Sequence, residues 1–207
     1  MRHVTWYFDF ISPYAYFGLH GLERLGPGVE VQYQPVLLAG LLNHWGQKGP
    51  AEIPPKRIWT YRSCLWWAQQ NKMPFRVPAA HPFNPLPYLR LSIAAGNSAH
   101  AVRTIFDGLW TTGADPADSA AVASVAAALG VPLERIADSH IKSSLRVATE
   151  LAALKGVFGV PTLSIDGQLF WGNDSVDFAA AYLRDPAILE TEEMRRIDSL
   201  PVGAARV

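Results

Sequence analysis

Ser12 and Pro13 stand where an apolar, β-forming run gives way to a helical one, in the stretch DFISPYAYFG from Asp9 to Gly18. A hydroxyl at such a corner can be a nucleophile, a hydrogen-bond donor to a guest group, or a helix N-cap. A nucleophile needs a base within hydrogen-bond reach. His20 lies eight residues on, ~12 Å along a helix axis, and His3 is at the far end of the preceding strand. The GxSxG pattern of a nucleophile elbow is absent as well. The cap reading is supported by Pro13 at the first helical position. Cys64 is the only cysteine, so it closes no internal disulfide and builds no thiolate metal site. With Leu65, Trp66 and Trp67 it reads as part of a helical core. His100 and His140 read as surface or helix-end residues, and no histidine spacing suits a metal, so none is expected.

Composition narrows the classes further. With 18 basic and 18 acidic residues in 207, the formal charge is zero, and no electrostatic footprint argues for nucleic acid or an anionic membrane. No apolar run reaches the ~18 residues of a membrane span. The first residues, MRHVTWYFDF, read as a strand rather than as a basic-then-apolar leader, and a cytoplasmic location is expected.

The elements that must position Ser12 follow from periodicity. Val4 to Phe10 alternates and is rich in β-formers. A helix begins after Ser12 and stops at Gly26-Pro27-Gly28, and a second strand runs from Val29 to Leu37. Helical patterns then dominate: Ile58 to Gln70, Leu86 to Gly96, Ala99 to Thr111, a helix capped by Asp118 and ended at Gly130, another begun by Pro132, and Ser139 to Leu154. Strands return at Thr162 to Ile165 and Gln168 to Trp171, joined by Asp166-Gly167, a two-residue hairpin signal. A last amphipathic helix runs to about Leu183. The order βαβ, helical block, ββα is that of an α/β thioredoxin-like fold with a large all-helical insertion between its halves. It implies residues 1–53 and 156–207 as the thioredoxin-like domain and 54–155 as the insertion. In that fold a cis proline before the third strand faces the first helix, and Pro161 holds that place. Only ~5% of X-Pro bonds are cis, so this expectation rests on the architecture.

DFISPYAYFG, PAAHPFNPLPYLRL (78–91) and FGVPTLSIDGQLFWGND (158–174) resemble the 2-hydroxychromene-2-carboxylate isomerase family, relatives of kappa-class glutathione transferases and of DsbA oxidoreductases. The resemblance implies a glutathione-dependent enzyme, usually a homodimer. It also gives the serine a role. Where oxidoreductases carry Cys-x-x-Cys, this chain reads Ser12-Pro13-Tyr14-Ala15, which cannot shuttle electrons but can hydrogen-bond another molecule's sulfur. A hydroxyl donor to a charged acceptor contributes roughly 1.5–3 kcal/mol, and a helix N-terminus about 0.3–1 kcal/mol. Together they would lower a thiol pKa of ~8.5 by roughly one to three units, enough to make thiolate the main species at neutral pH.

Residue by residue, the resemblance implies that Ser12 is catalytic and also binds glutathione. Val160, beside Pro161, would pair with the cysteinyl part through its main chain. Trp171, Gly172, Asn173 and Asp174 would hold the γ-glutamyl end. Ser175 stands where many relatives carry Arg. The implied reaction converts 2-hydroxychromene-2-carboxylate to trans-o-hydroxybenzylidenepyruvate, in aromatic catabolism, by thiolate addition, ring opening, rotation and elimination. The alternative is a kappa-like transferase acting on another electrophile. Candidate contacts to an aromatic carboxylate substrate are Asn43, His44, Lys56, His81 and Asn84. Leu42 and Glu52 stand near places where isomerases carry Lys and an Asn-Arg pair.

Overall fold

The computed structural model describes residues 1–204; the end of the expected 156–207 segment, 205–207, lies outside the described residues. Four strands form one sheet in the order β2-β1-β3-β4: β1 (Arg2–Phe8), β2 (Val29–Pro35), β3 (Thr162–Ile165) and β4 (Gln168–Trp171). β1 pairs parallel with β2 and antiparallel with β3, which pairs antiparallel with β4. β1 is central, and Val4, Trp6, Tyr7 and Phe8 are all buried. That explains its near-continuous apolar character. The Asp166-Gly167 hairpin has positive φ at both residues, 51° and 85°, as a type I′ turn requires.

α1 (Pro13–Gly21) opens on Ser12 as predicted. α3 (Pro54–Gln70), α4 (Leu86–Ala94), α5 (Ala99–Trp110), α6 (Ser119–Ala128) and α7 (Ser139–Leu154) fill the stretch between the sheet's halves, and α8 (Val176–Arg184) follows β4. The helix expected after Pro132 is a short 3-10 turn, Leu133–Ala137.

Two elements escape the sequence reading. The second strand ends at Pro35, and α2 (Leu38–Trp45) follows at once. Its N-cap, Leu37, has no capping side chain. Instead the Leu37 N–H donates to Thr149 Oγ1 at 2.9 Å and the Leu38 N–H to Asp9 Oδ2 at 2.8 Å. The helix start is therefore satisfied from distant parts of the chain. α9 (Glu192–Ile197) also lies beyond the last expected helix.

A continuous apolar cluster joins the sheet to the helical block through Trp6, Phe8, Phe10, Phe106 and Trp110. Phe10 and Phe106 meet at 4.6 Å between centroids, and Trp110 Nε1 donates to the Phe10 carbonyl at 2.9 Å. Burying one large apolar side chain contributes roughly 1.5–3 kcal/mol, against about 1 kcal/mol for a hydrogen bond. Packing thus anchors α5 here, while the indole bond sets its register against the strand end. Cys64 is buried as expected, but Leu65 and Trp66 are exposed. α3 buries only the Thr60, Cys64 and Ala68 stripe, so successive residues cannot all face the core.

Candidate functional site

The Ser12 corner is built from backbone first. The Ser12 N–H donates to the Asp9 carbonyl at 3.1 Å, and the Ser12 carbonyl accepts from Ala15 and Tyr16. The Ser12 hydroxyl oxygen accepts the Ala15 N–H at 3.2 Å, the cap expected from the sequence. Among the described residues nothing accepts the hydroxyl's own hydrogen, and Ser12 is 6% exposed. A near-buried O–H donor is thus left free at a helix N-terminus.

Pro161 packs against this helix. The Val160–Pro161 bond is cis, and a Cβ added at Gly18 would lie 3.2 Å from Pro161 Cγ. Glycine at this second turn of α1 allows the close approach. The N–H and C=O of Val160 have no hydrogen-bond partner among the described residues. The Pro161 carbonyl accepts from the Gly172 N–H at 2.9 Å, which draws the turn after β4 to the same place. Trp171 is 56% exposed, with its ring 5.2 Å from that of Phe158 and its indole over Gly159. Gly172 has φ +100°, and a Cβ there would overlap the Asp174 carboxylate. Asn173 is half-buried and Asp174 exposed. Side-chain capping by Asn173, Asp174 or Ser175 is absent: the Ser175 hydroxyl donates to the Gly172 carbonyl at 2.8 Å, and no side chain caps α8. The opening amides of α8 keep their capacity for an anion.

The fold brings His81 to Ser12, a neighbour that chain spacing did not suggest. Its Nε2 donates to the Ile11 carbonyl at 2.7 Å, and its Nδ1 meets the Tyr61 hydroxyl at 2.7 Å. With both ring nitrogens engaged, a contact of His81 with substrate, or a proton transfer to it from Ser12, would have to break one of these bonds. Asn84 Oδ1 accepts the Leu86 N–H at 3.1 Å and so closes the turn before α4, while the side chain is exposed. Asn43 and His44 lie exposed on α2, and Lys56 is exposed in the first turn of α3. No hydrogen bond joins any of these three side chains to the corner among the described residues.

Asp9 carries a feature that the sequence reading passed over. It is fully buried, and its carboxylate accepts the Ile11 N–H at 3.1 Å as well as that of Leu38. Burial raises its pKa from 3.8 to about 7, against the lowering effect of the N–H groups of Leu38, Ile11 and Phe10. Burial also pushes the Cys64 thiol up to about 12, so it is inert at neutral pH. A surface groove of ≈ 460 Å³ runs along the β2 edge between Glu30, Gln32, Gln34, Asn97 and Ser98. None of the expected site residues lines it.

Comparison with known proteins agrees with this fold. The family model of a DSBA-like thioredoxin domain matches residues 3–184. A 2-hydroxychromene-2-carboxylate isomerase of Sphingobium xenophagum is 29% identical over 194 residues, covering 89% of this chain and 99% of that protein. Glutathione S-transferase kappa 2 of Caenorhabditis elegans is 30% identical over 207 aligned residues, covering 88% of this chain and 92% of the relative. Among solved structures, a 2-hydroxychromene-2-carboxylate isomerase superposes with a TM-score of 0.73 at 23% identity, over 97% of this chain and 100% of that one. The disulfide reductase DsbM of Pseudomonas aeruginosa, solved with GSH, gives 0.58 at 15%, over 95% and 99%. The chain belongs to the DSBA-like thioredoxin family, alongside the 2-hydroxychromene-2-carboxylate isomerases and the kappa-class glutathione transferases.

Proposed function

We propose that this protein is a glutathione-dependent isomerase of the 2-hydroxychromene-2-carboxylate type, forming trans-o-hydroxybenzylidenepyruvate. The observation that carries the reading is the free Ser12 O–H at the α1 N-terminus, on the helix that packs against cis-Pro161. Glutathione, when bound, supplies a sulfur nucleophile. The chain's own groups do the rest. Ser12 donates to the sulfur, and the α1 N-terminus adds favourable potential for its negative charge. The unpaired N–H and C=O of Val160 offer an extended peptide the bonds of an added strand. The uncapped end of α8 suits the γ-glutamyl carboxylate, and Asp174, exposed beside Gly172, suits its ammonium. The same reading carries a homodimer. Lys56, with Asn43 and His44, remains the proposed source of contacts to the substrate carboxylate.

A transferase would share every glutathione contact and differ in keeping the sulfur attached to its product. Total free thiol, followed during turnover of a chromene carboxylate, separates the two: an isomerase leaves it constant and a transferase depletes it. For the glutathione site itself, millimolar glutathione is expected to raise the melting temperature and to show thiolate absorbance at neutral pH. Ser12→Ala should remove most of that absorbance. Absence of any binding by the parent protein at that concentration would falsify the reading.

A further inference from the structure

The peptide unit that precedes Ser12 is held from several sides. Its neighbour's N–H, that of Ile11, is taken by Asp9 Oδ1. The Ile11 carbonyl, bonded directly to the Ser12 nitrogen, receives His81 Nε2–H at 2.7 Å. One residue back, the Phe10 carbonyl receives the Trp110 indole. Since a carbonyl only accepts, His81 carries its proton on Nε2, and Nδ1 accepts from the Tyr61 hydroxyl. The His81 carbonyl lies 3.0 Å from the same hydroxyl and competes with Nδ1 for its single hydrogen; given to Nδ1, that hydrogen fixes the ring. Burial lowers the His81 pKa, which favours the neutral ring that this arrangement needs. Both groups come from the helical stretch between the sheet's halves, Tyr61 from α3 and His81 from the loop before α4.

We propose that Tyr61 and His81 are positioning residues: acting in series, they fix the Ile11 carbonyl and so aim the Ser12 hydroxyl and the opening amides of α1 at a bound thiol. This rests on the glutathione reading given above. Neither side chain touches the sulfur; each acts through the backbone that carries Ser12. A hydrogen bond of the usual strength translates into roughly half to one unit of thiol pKa.

The test is an ultraviolet pH titration of the thiolate of glutathione bound to the parent protein, His81→Leu, His81→Gln and Tyr61→Phe, with a thermal melt of each. His81→Leu is expected to raise the bound thiol's pKa by about half to one unit, roughly a three- to tenfold loss of thiolate relative to thiol. His81→Gln, whose amide can still donate to Ile11, should recover most of it, and Tyr61→Phe should fall between. A purely structural role would lower the melting temperature and leave the thiol pKa at the parent value, which overturns the proposal. If His81→Leu does not fold, Tyr61→Phe, lacking one hydroxyl, decides the matter by the same comparison. A parent protein with no thiolate signal refutes the glutathione reading and this role together; a parent signal matched by every variant refutes the role alone.

Discussion

Ser12 combines two duties that usually compete, since its oxygen caps α1 through the Ala15 N–H while its hydrogen stays available. Ser12→Ala therefore removes a cap, at a cost of about 0.5–2 kcal/mol, together with the proposed donor, and the two losses are read separately by melting and by thiolate absorbance. Asp9 is the other residue whose chemistry depends on its surroundings. Its folded pKa of about 7 lies above the ordinary 3.8 because burial disfavours the charge. Below the ordinary value both folded and unfolded chains keep the proton. Between 3.8 and about 7 the unfolded chain releases it while the folded one holds it. Stability from this group is thus fully present in acid and falls as pH rises to about 7, then levels off. Denaturant melts of the parent and Asp9→Asn, run in pH steps, should show their stability difference shrinking across that window. A difference independent of pH would contradict the assignment.

At the scale of elements, the site depends on how closely α1 can approach the turn before β3. Gly18 permits this, because an added Cβ already lies 3.2 Å from Pro161 Cγ and 3.7 Å from Trp6. A larger side chain must push α1 away from Pro161. Gly18→Val is expected to lose about 1–3 kcal/mol by overpacking, measured by urea denaturation, and to weaken glutathione binding by calorimetry. Unchanged stability would mean that the interface yields freely. α2 teaches a complementary lesson. Leu38, Leu41, Leu42 and Trp45 carry a helical spacing, and Gly46 ends the helix with φ 62°, so half of its signal was in the sequence. Its start had no local signature, because the acceptors come from Asp9 and Thr149.

For the whole molecule, the helical block does more than fill the space between β2 and β3. It supplies Trp110, His81 and Tyr61 to the strand end that carries Ser12. It also presents an apolar surface on α3, where Trp59 is 70% and Trp66 61% exposed beside Ile58 and Leu65. Exposed apolar patches are a common feature of interaction surfaces, and we propose that the homodimer uses this one. Sedimentation should then show a dimer for the parent chain and a monomer for the Trp59→Asp, Trp66→Asp double variant; a double variant that remains dimeric moves the interface elsewhere. Among the described residues no helix is long and apolar enough to cross a membrane.

The sequence by itself determined the parts whose causes are local. Ser12 and Pro13 begin a helix, Asp166 and Gly167 turn a hairpin, and Ser139 to Leu154 forms a helix with the predicted bounds. Each depends on a backbone conformation or a capping group within a few residues. What the tertiary structure alone decided are pairings across long separations: His81 with Ile11, Asp9 with Leu38, Trp110 with Phe10. Periodicity places each residue on a face of its element. Which buried donor meets which acceptor follows only once the elements pack, because a buried polar group must find its partner wherever the fold brings one. That is why the sequence showed His81 and Asn84 without their partners, the Tyr61 hydroxyl and Ile11 carbonyl for the one and the Leu86 N–H for the other.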